Sequence, residues 1–447
     1  MNESMVPTRP ADAAPTRPAD AAPTRPALRI ATAGSVDDGK STLIGRLLHD
    51  TTTVFEDQLQ AVVKASRRYG DGETNLALLT DGLRAEREQG ITIDVAHRYF
   101  ATPARSFIVA DTPGHAQYTR NMVTGASTSD VAIVLVDARY GVVDQTRRHS
   151  LIATMLGVEA IIVAVNKMDL VEWDEGVYLN ISKEVHSFVD SLPHPVPVHS
   201  IPMSALLGDN VVDGSAHTPW YDGVPLLTFL ESFEPTDDTL PGARLHVQRV
   251  IRPQGGEHAD FRGYAGVVAA GTLTVGEPIK VLPSGRSSKV AALHRWGKPV
   301  QEAHPGHAIV VELADDVDVA RGDVLVAGDA VQPPEVAEDI VADVCWMIDQ
   351  PLLVGTRHWF KHGTRTGYAT VTAIEHRYDL VSLEHQPTDE LVLNDIGRVH
   401  LRLSEPIVAD VYRHHAEGGR LILIDAATNT TAGAAMISAI AAWSPEI

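Results

Sequence analysis

The sequence contains a single cysteine, Cys345, in 447 residues. One thiol excludes an internal disulfide framework and any metal cluster built from several cysteines, and it fits a reducing compartment. A lone cysteine is most often a small buried side chain. We therefore expect Cys345 to be buried and inert.

Long apolar runs and an excess of positive charge are also missing. No stretch approaches the roughly 20 consecutive apolar residues of a membrane-spanning helix, and the N-terminus lacks the charged-then-apolar order of a signal peptide. Lys and Arg total 37 against 58 Asp and Glu, which gives a formal net charge of −21. So acidic a chain is a poor general binder of nucleic acid phosphates. These absences predict a cytoplasmic protein that binds neither membranes nor nucleic acid.

Composition divides the chain into four segments. Residues 1–27 repeat PTRPADAA, and frequent proline with few apolar side chains predicts a disordered tail. Residues 28–235 alternate helical stretches with runs such as SFIVADT, DVAIVLVDA and AIIVAVNK. Runs that are apolar throughout suit strands covered on both faces, so this segment predicts an α/β domain with a mostly parallel sheet and helices on both faces. Residues 236–332 and 333–447 carry short strands between Gly, Pro and Asp turns, which predicts two β-barrel domains.

The motif GSVDDGKS at residues 34–41 fits the phosphate-binding pattern G-x-x-x-x-G-K-[ST] between a strand and a helix. Its two glycines let backbone N–H groups turn inward at a helix N-terminus, where an anion is stabilised. Lys40 is expected to reach the β- and γ-phosphates, and the Ser41 hydroxyl to bind Mg²⁺. The residues expected around the phosphates are Gly34, Ser35, Val36, Asp37, Asp38, Gly39, Lys40, Ser41 and Thr42. Because backbone groups hold the phosphates, we expect the carboxylates of this loop to point away from them.

The motif DTPGH follows the strand SFIVA. Asp111 is expected to hold Mg²⁺ through a water, and the Gly114 amide to contact the γ-phosphate. Thr112 and Pro113 complete this switch segment. Upstream, in DGLRAEREQGITID, Thr92 is the candidate switch threonine that closes over Mg²⁺ and the γ-phosphate, although the charged run before it also fits a solvated helix face.

Two further motifs predict a guanine site. In NKMD, the Asp169 carboxylate can accept hydrogen bonds from N1–H and N2–H₂ of guanine, a donor pair that adenine lacks, while Asn166 and Lys167 brace the ring and the neighbouring loops. In MSAL, the Ala205 amide can meet guanine O6, and the residues beside it are Ser204 and Leu206. Each motif follows a predicted strand and alone fits an ordinary turn. Together and in this order they predict a GTP-binding domain, with the ligand at the strand ends of an open sheet.

The order of these motifs, with two barrels after them, resembles the translation-factor superfamily of the elongation factor Tu type. Three stretches are similar to the large, GTP-hydrolysing subunit of bacterial sulfate adenylyltransferase: GSVDDGKSTLIGRLLHDT, DGLRAEREQGITIDVAHRYF and DTPGHAQYTRNMVTGAS. Elongation factors usually carry His where this chain has Asp38. The resemblance runs from about Leu28 to the C-terminus and is strongest in the first domain.

This resemblance implies that a smaller catalytic subunit makes adenylyl sulfate and pyrophosphate from ATP and sulfate, driven by GTP hydrolysis in this chain. It implies that His115 aligns the attacking water, and that Asp37 helps to coordinate a monovalent cation beside the phosphates. No second phosphate loop follows the second barrel, so we do not expect the adenylyl-sulfate kinase activity of some relatives. The alternative is an elongation factor-like GTPase that delivers aminoacyl-tRNA. The charge of −21 disfavours it, because tRNA needs a basic surface.

One basic run, RHWFKHGTRT at residues 357–366, fits a contact with RNA or a partner protein. A partly solvated barrel loop is the simpler interpretation. His358 and His362 have the spacing of a metal pair only on a helix, which the β context does not predict.

Overall fold

The computed structural model describes residues 25–51, 95–113, 119–236, 242–253, 255, 261–328, 330, 333–379 and 384–441. Apart from residues 25–27, the predicted tail lies outside this part of the chain. The described residues form one α/β domain followed by two antiparallel barrels, as the sequence predicts.

The first domain is built on a six-stranded sheet: β1 (Leu28–Ala33), β2 (Ala96–Ala101), β3 (Ser106–Asp111), β4 (Val131–Asp137), β5 (Ala160–Asn166) and β6 (Val198–Pro202). Its described α-helices are α1 (Lys40–Asp50), α2 (Thr119–Ala126), α3 (Asp144–Met155), α4 (Glu175–Asp190) and α5 (Leu226–Ser232), and a 3₁₀ helix spans Met168–Val171. The strand order is β2-β3-β1-β4-β5-β6, and every pairing is parallel except that of β2 with β3.

Both faces of this sheet are covered, which explains the uninterrupted apolar runs. Every residue of β4 and β5 is buried. One face packs against α2, α3 and α4 through side chains such as Leu151 and Val185. The other packs against α1 and α5 through side chains such as Leu43 and Leu226.

The sequence analysis missed strand β2. Its sequence AHRYFA alternates half-buried and exposed positions, because β2 is the edge strand and pairs only with β3. The polar residues His97 and Arg98 therefore interrupt the apolar pattern that identified strands such as β3, β4 and β5.

The first barrel and its accessory strands comprise β7 (Arg244–Ile251), β8 (Gly263–Ala270), β9 (Leu273–Thr274), β10 (Pro278–Leu282), β11 (Arg286–Arg295), β12 (Lys298–Val300), β13 (Glu302–Ala303), β14 (Ala308–Leu313) and β15 (Val324–Ala327). Six strands run in the order β10-β15-β7-β8-β14-β11, and the pairing of β10 with β11 closes the barrel.

The second barrel comprises β16 (Glu335–Trp346), β17 (Leu352–Leu353), β18 (Arg357–His362), β19 (Arg365–Tyr378), β20 (His385–Gln386), β21 (Glu390–Leu391), β22 (Ile396–Ala409), β23 (Arg420–Ile424) and β24 (Thr431–Ala441), with the short helix α6 (Ala416–Gly419). The order β18-β23-β24-β16-β22-β19 closes through the pairing of β18 with β19. Closure leaves no unpaired barrel edge, which is how small β domains avoid edge-to-edge association.

The basic run at residues 357–366 forms a strand hairpin of β18 and β19, so the expectation of a loop is wrong. His358, Phe360 and His362 are buried while Arg357 and Lys361 are exposed, an alternation that the period of a strand imposes. Among the described residues, no cluster of three or more His, Cys, Asp or Glu side chains is arranged to hold a metal.

The second barrel is docked on the first domain. Cys345 and Met436 of the barrel belong to the same apolar cluster as Leu156, which directly follows α3. The Tyr412 hydroxyl donates to the Leu156 carbonyl at 2.8 Å. Cys345 is 3% exposed, as expected, and burial raises the pKa of its thiol to about 12. Across all the described residues, no helix is long and apolar enough to cross a membrane.

Arg105, in the turn between β2 and β3, joins the two ends of the first domain. Its side chain is 1% exposed, and its Nε donates to the Pro26 carbonyl at 3.0 Å. Its Nη1 donates to the Phe233 carbonyl, just after α5. The chain therefore enters and leaves this domain at one place.

Candidate functional site

Among the residues that the structure describes, the predicted phosphate-loop, Asp111 and NKMD residues lie where β1, β3 and β5 end, and β4 ends beside them. The loop of residues 34–39 follows β1, and Asp111, Asp137 and Asn166 are the last residues of β3, β4 and β5. In a parallel sheet the carboxyl ends of the strands lie at one edge, and a crevice there is the usual place for a ligand.

The backbone of the loop turns tightly at two residues. Gly39 has φ of 95° and Asp37 has φ of 67°, both in the left-handed region. A Cβ at position 39 would lie under 3.0 Å from the Asn166 side chain. Glycine is required there both for its backbone conformation and for this close approach.

Lys40 is folded back onto the loop. Its Nζ donates to the carbonyls of Gly34 and Ser35, each at 2.7 Å, and burial lowers the pKa of the amine. An ammonium has three protons, so one remains that can be donated to a phosphate. Nearby carboxylates favour the charged amine, and Asp38 and Asp111 contribute most among them.

The two loop aspartates behave differently. Asp37 is exposed, as expected, but Asp38 is 7% exposed and its Oδ2 accepts the Ser35 N–H at 2.5 Å. The Asp38 carboxylate is therefore bonded to the backbone of its own loop, and that neither carboxylate touches the phosphates stays a prediction. Burial raises its pKa, while the Ser35 hydrogen bond and Lys40 oppose that shift.

The guanine motifs are joined to this loop by direct hydrogen bonds. Asn166 Nδ2 donates to the Asp38 carbonyl at 2.7 Å, and Lys167 Nζ donates to the Asp37 carbonyl. The Ala205 amide donates to Asn166 Oδ1 at 2.9 Å. If this amide also bonds guanine O6, its single proton is shared between O6 and Asn166 Oδ1.

The remaining guanine-motif residues surround this network. Asp169 is half-buried in the 3₁₀ helix. The Ser204 hydroxyl accepts the Leu207 amide at 3.2 Å. Leu206 is 48% exposed, and its carbonyl accepts a hydrogen bond from Arg46 of α1.

Sequence reasoning missed Asp137 and Arg139. The Asp137 side chain is 3% exposed and lies 2.9 Å from Lys167 Nζ. Arg139 grips the same carboxylate with its Nε at 3.0 Å and its Nη2 at 2.7 Å. The only signal in the sequence was an aspartate ending the apolar run VAIVLVD, which equally fits a turn.

The described part of the switch segment is tightly packed. Asp111 is 2% exposed at the end of β3, and the Thr112 hydroxyl donates to the Thr32 carbonyl at 2.5 Å. Pro113 is also buried. Thr92, Gly114 and His115 lie outside the described residues.

The donor set fits Mg²⁺ bound together with phosphates. Magnesium prefers oxygen ligands and usually takes few from the protein, the rest coming from phosphates and water. Ser41 supplies a hydroxyl in the first turn of α1, and Asp111 supplies a carboxylate close enough to Lys40 to favour its charged form. The sequence analysis adds Thr92 to these two as a third ligand, and its position stays a prediction.

The sequence matches the model for the elongation factor Tu GTP binding domain over residues 25–237 and the GTP-eEF1A C-terminal domain-like model over residues 339–438. Sulfate adenylyltransferase subunit 1 of Tolumonas auensis is 51% identical over 414 residues, which cover 92% of this chain and 86% of that protein. The bifunctional enzyme CysN/CysC of Mycobacterium tuberculosis is 50% identical over 413 residues, which cover 92% of this chain and 67% of that enzyme. The phosphate loop and the guanine motifs lie together at one sheet edge, in a domain of the matched GTP-binding type. This chain is therefore a member of the sulfate adenylyltransferase subunit 1 family, the GTPase subunits built on an elongation factor Tu-type domain.

Proposed function

We propose that this chain binds GTP with Mg²⁺ at the sheet edge and couples its hydrolysis to adenylyl sulfate synthesis by a smaller catalytic partner. The observation that carries the nucleotide assignment is the hydrogen-bonded junction of the phosphate loop with the guanine motifs, through Asn166 and Lys167. The likeness to proteins named subunit 1 supports a partner subunit.

In this proposal the chain's own groups position the γ-phosphate. The loop amides and the remaining Lys40 proton hold the phosphates, and bound Mg²⁺ neutralises charge that develops on them. Phosphoryl transfer needs positioning and charge stabilisation more than covalent help, so His115 only has to orient a water. Thr92 closes over the γ-phosphate and lets go after hydrolysis.

The decisive experiment is co-purification with the catalytic subunit from the same organism, followed by an assay of adenylyl sulfate from ATP and sulfate. GTP is expected to raise product formation, and a non-hydrolysable analogue is not. His115→Ala should lower single-turnover GTP hydrolysis by about 100-fold and remove the GTP effect. Equal product with and without GTP would refute the coupling.

Guanine selection is tested separately. Asp169→Asn removes the carboxylate that accepts two guanine donors, so GTP binding should weaken and xanthosine triphosphate, which carries a carbonyl at position 2, should bind better than GTP. A wild-type chain that prefers ATP to GTP in the same competition assay would contradict the assignment.

We also propose a monovalent cation beside the phosphates, held in part by Asp37. The exposed carboxylate sits at the rim of the loop with its backbone in the left-handed region. GTP turnover should be faster in potassium than in tetramethylammonium, and Asp37→Gly should remove that difference. Turnover with the same cation dependence in both proteins would end this idea.

A further inference from the structure

Asp137 is the last residue of β4 and lies opposite Asn166 in the parallel pairing of β4 with β5. It therefore stands between the phosphate loop and the guanine motif. Its buried carboxylate receives Lys167 on one side and Arg139 on the other. Burial works to raise the pKa of Asp137, but the hydrogen bonds from Arg139 and Lys167 together lower it to about 2. The group is a carboxylate at any physiological pH.

Lys167 is the residue that this carboxylate positions. Its backbone is in the left-handed region with φ of 63°, which is unfavourable for a residue with a Cβ. A lysine side chain also loses rotamer entropy when it is fixed in one position. The ammonium lies between the Asp137 carboxylate and the Asp37 carbonyl and contacts both of them.

The consequence is a bridge between two loops. The Asp37 carbonyl belongs to the phosphate loop, while Lys167 belongs to the guanine motif. Without the carboxylate, the ammonium keeps a single neutral acceptor at the loop rim, where solvent competes for it. Arg139 binds Asp137 with two parallel hydrogen bonds, the geometry that fixes a carboxylate most firmly.

We propose that Asp137 is a positioning residue for the guanine nucleotide: held by Arg139, it fixes Lys167 across the phosphate loop so that the base-binding and phosphate-binding loops act as one unit. This inference rests on the proposed function of the same site. It predicts that Asp137 affects nucleotide affinity through Lys167, and that it affects hydrolysis of bound GTP very little.

The test measures binding of N-methylanthraniloyl-GDP to the full chain by fluorescence. Asp137→Asn keeps the shape of the side chain and removes its charge, and we expect roughly tenfold weaker binding, the size of a lost charge-assisted hydrogen bond. Single-turnover hydrolysis at saturating GTP should stay within about twofold of wild type, since the groups at the γ-phosphate are untouched.

A double-mutant cycle with Lys167→Met shows whether Asp137 acts through Lys167. If it does, adding Asp137→Asn to Lys167→Met should change the affinity by less than about twofold, because coupled residues are not additive. Arg139→Gln, a change at a side chain that is 38% exposed, should give a smaller loss that also vanishes in the Lys167→Met background. This variant keeps the test valid where Asp137→Asn does not fold.

The matched control is Asp343→Asn in the second barrel. The Asp343 side chain is 8% exposed and accepts two hydrogen bonds from Arg398, at 3.0 and 3.1 Å, so it repeats the pairing in a different domain. The variant Asp343→Asn should leave nucleotide affinity unchanged. Independent, multiplicative losses in the cycle, or wild-type affinity in Asp137→Asn, would overturn the inference while the proposed function stands. Failure of the wild-type chain to bind the probe would overturn both.

Discussion

Asp38 illustrates how a loop for anions tolerates a carboxylate. The side chain is turned inward, where it accepts the Ser35 amide and lies close enough to Lys40 for their charges to interact. Because burial outweighs these partners, the pKa is raised and the ionised form is less stable in the folded chain than in the unfolded chain. The contribution of Asp38 to the free energy of unfolding is fully present below the pKa of this group in the unfolded chain. It is lost as pH rises through the pKa in the folded chain.

Asp38→Asn should therefore stabilise the nucleotide-free protein at pH 7. The amide oxygen can still accept the Ser35 N–H, while the cost of burying a charge disappears. We expect a gain of about 1 kcal/mol, measured as a higher thermal midpoint. Asp37→Asn is the matched control, since Asp37 is exposed and should give no gain. A lower midpoint for Asp38→Asn would show that the carboxylate is a net stabilising group.

The buried side chain of His149 in α3 leads us to expect that the folded protein loses stability at acidic pH. Burial is the main cause that lowers its pKa, to about 3, with Lys40 and Arg148 adding to the shift. The unfolded chain binds this proton near pH 6.5, so stability is lost as pH falls from 6.5 towards 3. The loss at pH 5 should be about 2 kcal/mol.

His149→Gln should accordingly show a smaller drop in thermal midpoint between pH 8 and pH 5 than wild type. The same change at the exposed His194 should leave the drop as it is. An unaltered pH response in His149→Gln would contradict the assignment of a neutral buried ring.

At the scale of elements, the turn from β1 into α1 carries the tightest steric demand in the site. Gly39→Ala forces a Cβ into the Asn166 side chain in a left-handed backbone, so it should weaken binding of N-methylanthraniloyl-GDP at least tenfold. Gly285→Ala is the control, because Gly285 has φ of 73° but nothing within 4 Å of its added Cβ. Equal effects of the two variants on nucleotide affinity would show that Gly39 matters only for general backbone strain.

The elements also show how far the sequence alone predicts this protein. Strands buried on both faces leave an uninterrupted apolar run, which identified β4 and β5. The largely buried β1 and β3 were also identified, as was β6, although β6 is a half-buried edge strand. Edge strand β2 and strand β18 were not identified, because exposed polar side chains alternate with buried ones along each of them. The phosphate and guanine loops were found from glycine and side-chain spacing, whereas Asp137 was missed because its role depends on Lys167, which lies 30 positions later in the numbering.

At the scale of the whole molecule, the second barrel and the first domain share one apolar cluster. Tyr412→Phe removes the hydrogen bond to the Leu156 carbonyl and little else, so it should cost about 1 kcal/mol. The measurement is the thermal midpoint of the full chain, with Tyr99→Phe on the exposed edge strand as control. No difference between the two variants would show that this hydrogen bond does not hold the barrel in place.

The hydrogen bonds that Arg105 makes to the two ends of the first domain bear on how the barrels and the nucleotide site can affect each other. Arg105 lies in the turn that leads into β3, at the amino ends of the parallel strands, while the phosphates are expected at their carboxyl ends. A displacement of the linker peptide therefore acts at the end of the sheet opposite the expected triphosphate site. The second barrel also contacts the first domain directly, through the apolar cluster that includes Leu156 and through the Arg420 guanidinium, which donates to the Ser127 carbonyl. A longer linker between the domains should therefore leave these contacts in place.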